Sequence, residues 1–191
     1  MSYTFLVLLP LSSHMRSMTT PAVKSSTIDF KKSILETFAT NEKANQLLLN
    51  NIEEAAWQAP PPSGKGRSIA DIAAHIHHVR LMWLSAADKN AKVPAKLDPD
   101  KVTREQVQSA LKTSAVAIQE LIRKAVDDPA GKVPNFKPDV VGFVGYLIAH
   151  DSHHRGQISM LARQVGHPLT AKVNFGLWEW GTLWRECGFG K

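Results

Sequence analysis

The sequence predicts an all-α fold, a four-helix bundle with an aromatic C-terminal tail packed against it. Three observations carry that expectation. Apolar residues recur at helical spacing over four long stretches, and nowhere does sustained alternation mark out a sheet. Cap residues or clusters of proline and glycine bound each stretch. With 191 residues the chain supports one well-filled core and falls short of two comfortable domains.

The first stretch opens near Thr27, a capping residue, and carries Ile28, Ile34, Leu35, Phe38, Leu47, Leu48 and Leu49 at helical spacing. Pro60, Pro61, Pro62, Ser63, Gly64 and Gly66 then break the chain. Ser68, with Asp71 three residues on, has the form of a capping box and starts a second stretch reaching about Lys89. Pro94 and Pro99 mark the next loop. Thr103 and Gln106 cap a third stretch, in which Val107, Leu111, Ile118, Leu121 and Ile122 lead toward Val126; Asp128, Pro129 and Gly131 end it. The fourth runs from about Asp139 to Val165, where Gly166 and Pro168 stop it. The connections, about 13 to 16 residues long, exceed those of a simple up-down bundle and leave the topology open. The tail from Asn174 to Trp184 is too aromatic to stand in water, so Trp178, Trp180 and Trp184 are expected to lie over the core.

Residues 1–26 read as a separate lead and 27–191 as the bundle domain. Phe5 to Leu11 is an apolar run interrupted by Pro10, far short of the roughly 20 residues that span a bilayer. A signal peptide carries basic residues before its apolar run, whereas Arg16 follows this one. The preferred expectation is an over-extended start with the fold beginning near Thr27; a degenerate export signal is the alternative.

A single cysteine, Cys187, permits neither an internal disulfide nor a thiolate cluster, which fits a cytoplasmic protein. The formal net charge is +6, but lysine and arginine are scattered and form no stripe for nucleic acid. Eight histidines are the unusual feature. Six fall in two of the predicted helices: His75, His77 and His78 in the second, His150, His153 and His154 in the fourth.

His150 and His154, spaced i and i+4, share one helix face, a natural two-point grip on a metal ion. Steps of about 100° per residue place both within the arc of Phe143, Leu147, Ile158, Leu161 and Val165, with His153 on the polar side. In the second helix Ile69, Ile72, Ile76, Val79 and Trp83 define the stripe. His75 lies at one edge of it and His77 at the other, so spacing does not choose between them, while His78 points away. His77, His78 and His153 default to solvent or supporting positions. Inward imidazoles can equally be core residues bonded to carbonyls; a third histidine on a second core-bordering helix moves the balance toward metal. His150-Asp151-x-x-His154 also stands one methylene from a zinc-peptidase motif, with Asp151 in the general base's place, but no further ligand follows at a familiar spacing. A di-iron site would need Glu-x-x-His, which the chain lacks. Asp151 is expected to pair with Arg155. Tyr146 and Glu179 are loose candidates for acid–base work.

Ser68-Ile69-Ala70-Asp71-Ile72-Ala73-Ala74-His75-Ile76 and His150-Asp151-Ser152-His153-His154-Arg155-Gly156-Gln157 resemble the two signatures of the DinB/YfiT-like family. The likeness covers about 160 residues, including the helix order, and the second signature is the more specific. The resemblance implies a bundle of the DinB type and a divalent-metal site made by His75, His150 and His154, resolving the tie in favour of His75. Zn or Ni suits three imidazoles best. It implies a metal-dependent enzyme using a small thiol, such as bacillithiol or mycothiol, as S-transferase or isomerase, or else hydrolysing through metal-bound hydroxide. The alternative is a metal-binding stress-response protein without turnover. Expected partners are a small-molecule substrate and at most a second copy in a homodimer, with no nucleic acid and no membrane.

Overall fold

Local capping sets the ends of the long helices. The computed structural model describes residues 27–190, and every regular element among them is helical. The lead of residues 1–26 lies outside the described residues. Helix α1 (Phe30–Asn50) starts at Asp29, whose carboxylate accepts from the Lys32 N–H at 2.9 Å; the cap is Asp29 rather than Thr27, and Ile28 is exposed. A single turn, α2 (Glu54–Trp57), follows and buries Trp57, whose indole N–H donates to the Val102 carbonyl at 3.1 Å. Helix α3 (Ile69–Ala87) and helix α4 (Arg104–Asp127) each open on a full capping box, Ser68 with Asp71 and Thr103 with Gln106. Asp139 caps α5 (Val140–Gln164). Gly166, at φ 91°, ends it in a Schellman turn, with the His167 N–H bonded to the Ala162 carbonyl at 2.8 Å.

The tail folds into α6 (Ala171–Gly176) and α7 (Trp180–Glu186). Helix α7 packs on α1, burying Leu183, and the Trp184 indole N–H donates to Glu36 at 2.7 Å. The expected lid is only partial. Trp178 is 82% exposed and Phe175 stands out beside it, because the short turn between α6 and α7 carries Trp178 away from the bundle.

Two apolar clusters fix the topology. One gathers Leu48 and Leu49, Ile69 and Ile72, Val107 and Leu111, and Ile158 and Ala162. The other gathers Ile34 and Phe38, Leu81 and Leu84, Ile118 and Ile122, and Phe143 and Leu147. The N-terminal halves of α3 and α4 therefore share one end of the bundle, while α1 and α5 run the opposite way. Helices α1 and α3 each pack against α4 and α5 and face each other across the diagonal. Because α3 and α4 are parallel neighbours, the chain between them must return the length of α3, about 28 Å for its 19 residues. That is the physical reason for the long connection. No described helix is long and apolar enough to cross a membrane.

Between the clusters lies a buried polar layer. Arg80, 1% exposed, reaches Glu42 at 2.7 Å and Asp151 at 2.8 Å with one guanidinium nitrogen, and donates from the other to the Leu111 carbonyl at 3.1 Å. Asn41 and Asn45 each donate to the same Asp151 oxygen at 2.8 Å. Their own carbonyls accept from Arg155, which also donates to Ser152. Every charge in the layer thus has an opposite charge or a hydrogen bond, the condition for burying it at all.

Candidate metal centre

The inward arc of α5 faces α3 where the polar layer meets the first apolar cluster. There His75, His150 and His154 come together, with one ring nitrogen from each lying within 4.8 Å of the others. His150 Nε2 is 3.2 Å from His154 Nε2 and 3.4 Å from His75 Nε2. Helix α5 supplies two of the rings because residues four apart stack on one face; α3 supplies the third across the seam.

The second nitrogen of each α5 histidine decides what the first can do. His154 Nδ1 stands 2.7 Å from the Gln157 side-chain oxygen, which only accepts, so Nδ1 carries the proton. His150 Nδ1 faces Asp151 Oδ1 at 3.5 Å, again an acceptor; neither atom has another partner, although both are buried. His154 Nε2 is therefore a bare lone pair, 3.2 Å from His150 Nε2. An ion at its usual distance of about 2.0–2.1 Å from each nitrogen would set tetrahedral neighbours about 3.3–3.4 Å apart, close to the His150–His154 and His75–His150 spacings, with the whole set inside 4.8 Å. The residues present fit a divalent metal, with Gln157 holding the His154 ring in the required tautomer and the Asp151 carboxylate behind His150.

The electrostatics favour neutral imidazoles. Burial, then the charges of Arg67, His154, His150 and His78, lowers the His75 pKa to about 4. Burial also lowers His154, joined by His150, His153 and Arg67 and opposed by the Gln157 hydrogen bond. Burial pushes the Asp151 carboxyl up, but the Arg80 charge and hydrogen bonds from His150, Asn45 and Arg80 reverse this, leaving it well below the usual carboxylate range. Asp151 is anionic and stands behind His150.

A family model of the DinB family matches residues 18–180. The chain belongs to the DinB family. No curated protein and no solved structure matches it. The family match reaches back to residue 18, ahead of the domain start expected near Thr27.

Within this DinB fold the remaining histidines separate cleanly. His77 is fully buried, not at solvent: its Nε2–H donates to the Ala95 carbonyl at 2.9 Å and Nδ1 accepts from the Ser114 hydroxyl at 3.1 Å. His78 is half-buried and accepts the Leu97 N–H at 3.1 Å. Both pin the connection between α3 and α4. His153 is exposed. The pairing of Asp151 with Arg155 gives way to Arg80, because Arg155 is drawn to the two asparagine carbonyls of α1. With Oδ2 held by Arg80, Asn41 and Asn45, Asp151 is not free to serve as a peptidase base. The Tyr146 ring lies 6.0 Å from His150 within an aromatic cluster with Trp83 and Phe136, and Glu179 is exposed at the head of α7.

Asn41, Asn45 and Arg80 escape a reading that follows apolar residues alone. Their signal is present: Asn41 and Asn45 sit at i and i+4 on the buried face of α1, and Arg80 continues the Ile72, Ile76 row of α3. Polar residues at core positions of a helix announce a buried network.

Proposed function

We propose that this DinB-family chain is a divalent-metal-dependent enzyme, with His75, His150 and His154 as the ligands and a small thiol as co-substrate. The transformation is S-transfer or isomerisation, and hydrolysis is the variant the same centre would support. The observation that carries this reading is the convergence of three Nε2 atoms, that of His154 held as a bare lone pair by Gln157. Zinc or nickel suits three imidazoles. A bound ion would act as a Lewis acid and lower the pKa of a thiol or water placed against it.

This chain's own residues would orient and exclude. Gln157 holds the His154 tautomer, and buried Ile76 and Ile158 keep water from the inner side. Next to the centre, with Gln157 between them, lies a cleft of about 570 Å³, a volume that admits a small molecule. That cleft favours turnover over an ion that merely ties α3 to α5 in a stress-response protein.

The test is elemental analysis of the purified protein coupled to a panel of bacillithiol, mycothiol and glutathione acceptor assays. One divalent ion per chain and thiol-dependent turnover are expected. His75→Ala, His150→Ala and His154→Ala should each lose the ion, while His153→Ala keeps it. Full metal content in His75→Ala would refute the ligand set. Retained metal without turnover with any thiol or hydrolysable substrate would support the non-catalytic alternative.

A further inference from the structure

We infer that the cleft beside the three histidines is built for an oxyanion, so that the substrate carries a carboxylate or phosphate group near its reacting atom. This rests on the metal-centre reading for where the reaction occurs, but the anion subsite stands on its own residues.

The cleft runs between the 61–67 segment and helices α3 and α5. Pro61, Lys65, Arg67, Ile72, Gln157 and Leu161 contribute to its walls. It reaches the centre through Gln157, which accepts from His154, and Ile72 lies about one helical turn before His75. The lining holds two cations, Lys65 and Arg67, and no carboxylate. Gly66 between them sits at φ 104°, a backbone conformation open to glycine, and it bends the segment where both cations line the cleft.

Neither cation is spent on the fold. The ion pairs among the described residues do not include Lys65 or Arg67. Asp71, the carboxylate nearest in sequence, is held by the Ser68 N–H at 2.7 Å and the Ser68 hydroxyl at 2.8 Å. Asp151 is buried under Arg80. Arg67 is close enough for its charge to act on both His75 and His154. Two cations without an ion-pair partner among the described residues line a cleft that holds no carboxylate, beside a centre of neutral ligands. A small anionic substrate balances them, and the planar fork of Arg67 matches a carboxylate or phosphate in two-point geometry.

The experiment uses the full chain in two forms. Chelator-treated protein is titrated with inorganic phosphate and, separately, with succinate, following amide shifts of Gly66 and the Gln157 side chain by NMR. Saturable shifts are expected, with Arg67→Gln weakening them about tenfold, the worth of one charge-assisted hydrogen bond. Lys65→Gln should weaken them by less, and Lys32→Gln on the far end of α1 should leave them unchanged. Tighter phosphate than succinate assigns a phosphate-bearing substrate, and the reverse assigns a carboxylate. Zinc-loaded protein is then titrated with 3-mercaptopropionate and 3-mercaptopropan-1-ol. The anionic thiol should bind about tenfold tighter, with the preference lost in Arg67→Gln at unchanged zinc content. No saturable response of the wild type to either anion, or an equal response from Arg67→Gln, overturns the inference. Anion binding by a protein that retains no metal supports the subsite while overturning the metal centre.

Discussion

Replacing Arg80 by methionine probes the polar layer that stands behind His150. The substitution keeps an unbranched apolar stem but removes the cation paired with two carboxylates, Asp151 at 1% and Glu42 at 11% side-chain exposure. Breaking a buried pair from one side leaves uncompensated charge and costs about 3–5 kcal/mol. For a chain of this size that corresponds to a melting temperature lower by about 6–20 °C. Urea unfolding of metal-free protein at pH 7 reads the loss as a lower midpoint at unchanged slope. The pH dependence separates this mechanism from simple loss of packing. In the wild type the Asp151 pKa lies below its unfolded value, so its stabilisation is present above about pH 4 and is lost as pH falls further. In Arg80→Met the Asn41 and Asn45 hydrogen bonds remain but the opposing charge is gone, so burial raises the carboxyl from its wild-type position, and the variant is penalised at neutral pH and relieved as the group protonates. The gap between variant and wild type should therefore narrow from pH 7 to about pH 4.5, with histidine titration common to both. A loss under about 1 kcal/mol, or a gap that widens on acidification, would refute the paired-charge account.

Four further outcomes are expected. His77→Ala strips partners from the Ser114 hydroxyl and the Ala95 carbonyl and should cost about 1–3 kcal/mol in chemical denaturation, with metal content unchanged; loss of metal would show that His77 belongs to the centre. Trp57→Ala should cost about 3–5 kcal/mol by emptying a fully buried site. Trp178→Ala, at a position 82% exposed, should stay within about 0.5 kcal/mol, and a larger loss would mean that Trp178 is covered in solution. Chelation of metal-loaded protein should lower its melting temperature, because an ion bound only by the folded state stabilises it. That difference should shrink as pH falls below about 6.5 toward 4, where protons take the ligand nitrogens; burial holds His75 down at about 4. Identical melting with and without chelator at every pH would show that no ion is coupled to the fold.

The outline of the molecule is legible in the residues because its signals are local. Capping boxes at Ser68 and Thr103, the Asp139 cap and the Gly166 stop act within a few residues of themselves. The same holds for His150 and His154: the helical repeat alone puts them on one face with Phe143, Leu147 and Ile158, and His153 outside it. Where the local signal is weak, the reading slips. Thr27 and Asp29 are both competent caps two residues apart, and only the geometry selects Asp29. The aromatic tail shows the reverse error, since composition says that its tryptophans favour burial without saying which of them finds a surface.

The sequence by itself determines four long helices, their ends, and the inward pair of histidines on α5, because each depends on the chain's own periodicity. The family signature adds His75. The tertiary structure brings His75, and not His77, to that pair. Helix α3 stands at a corner between α4 and α5, so the two edges of its apolar stripe meet different neighbours. His75 faces α5 and the open centre; His77 faces Ser114 of α4 and the returning connection, where its nitrogens are already satisfied. The same is true of Asp151, whose partners Arg80, Asn41 and Asn45 lie 71 to 110 residues away along the chain. Periodicity places a side chain on a face of its own helix, but only the packing of helices decides what that face meets.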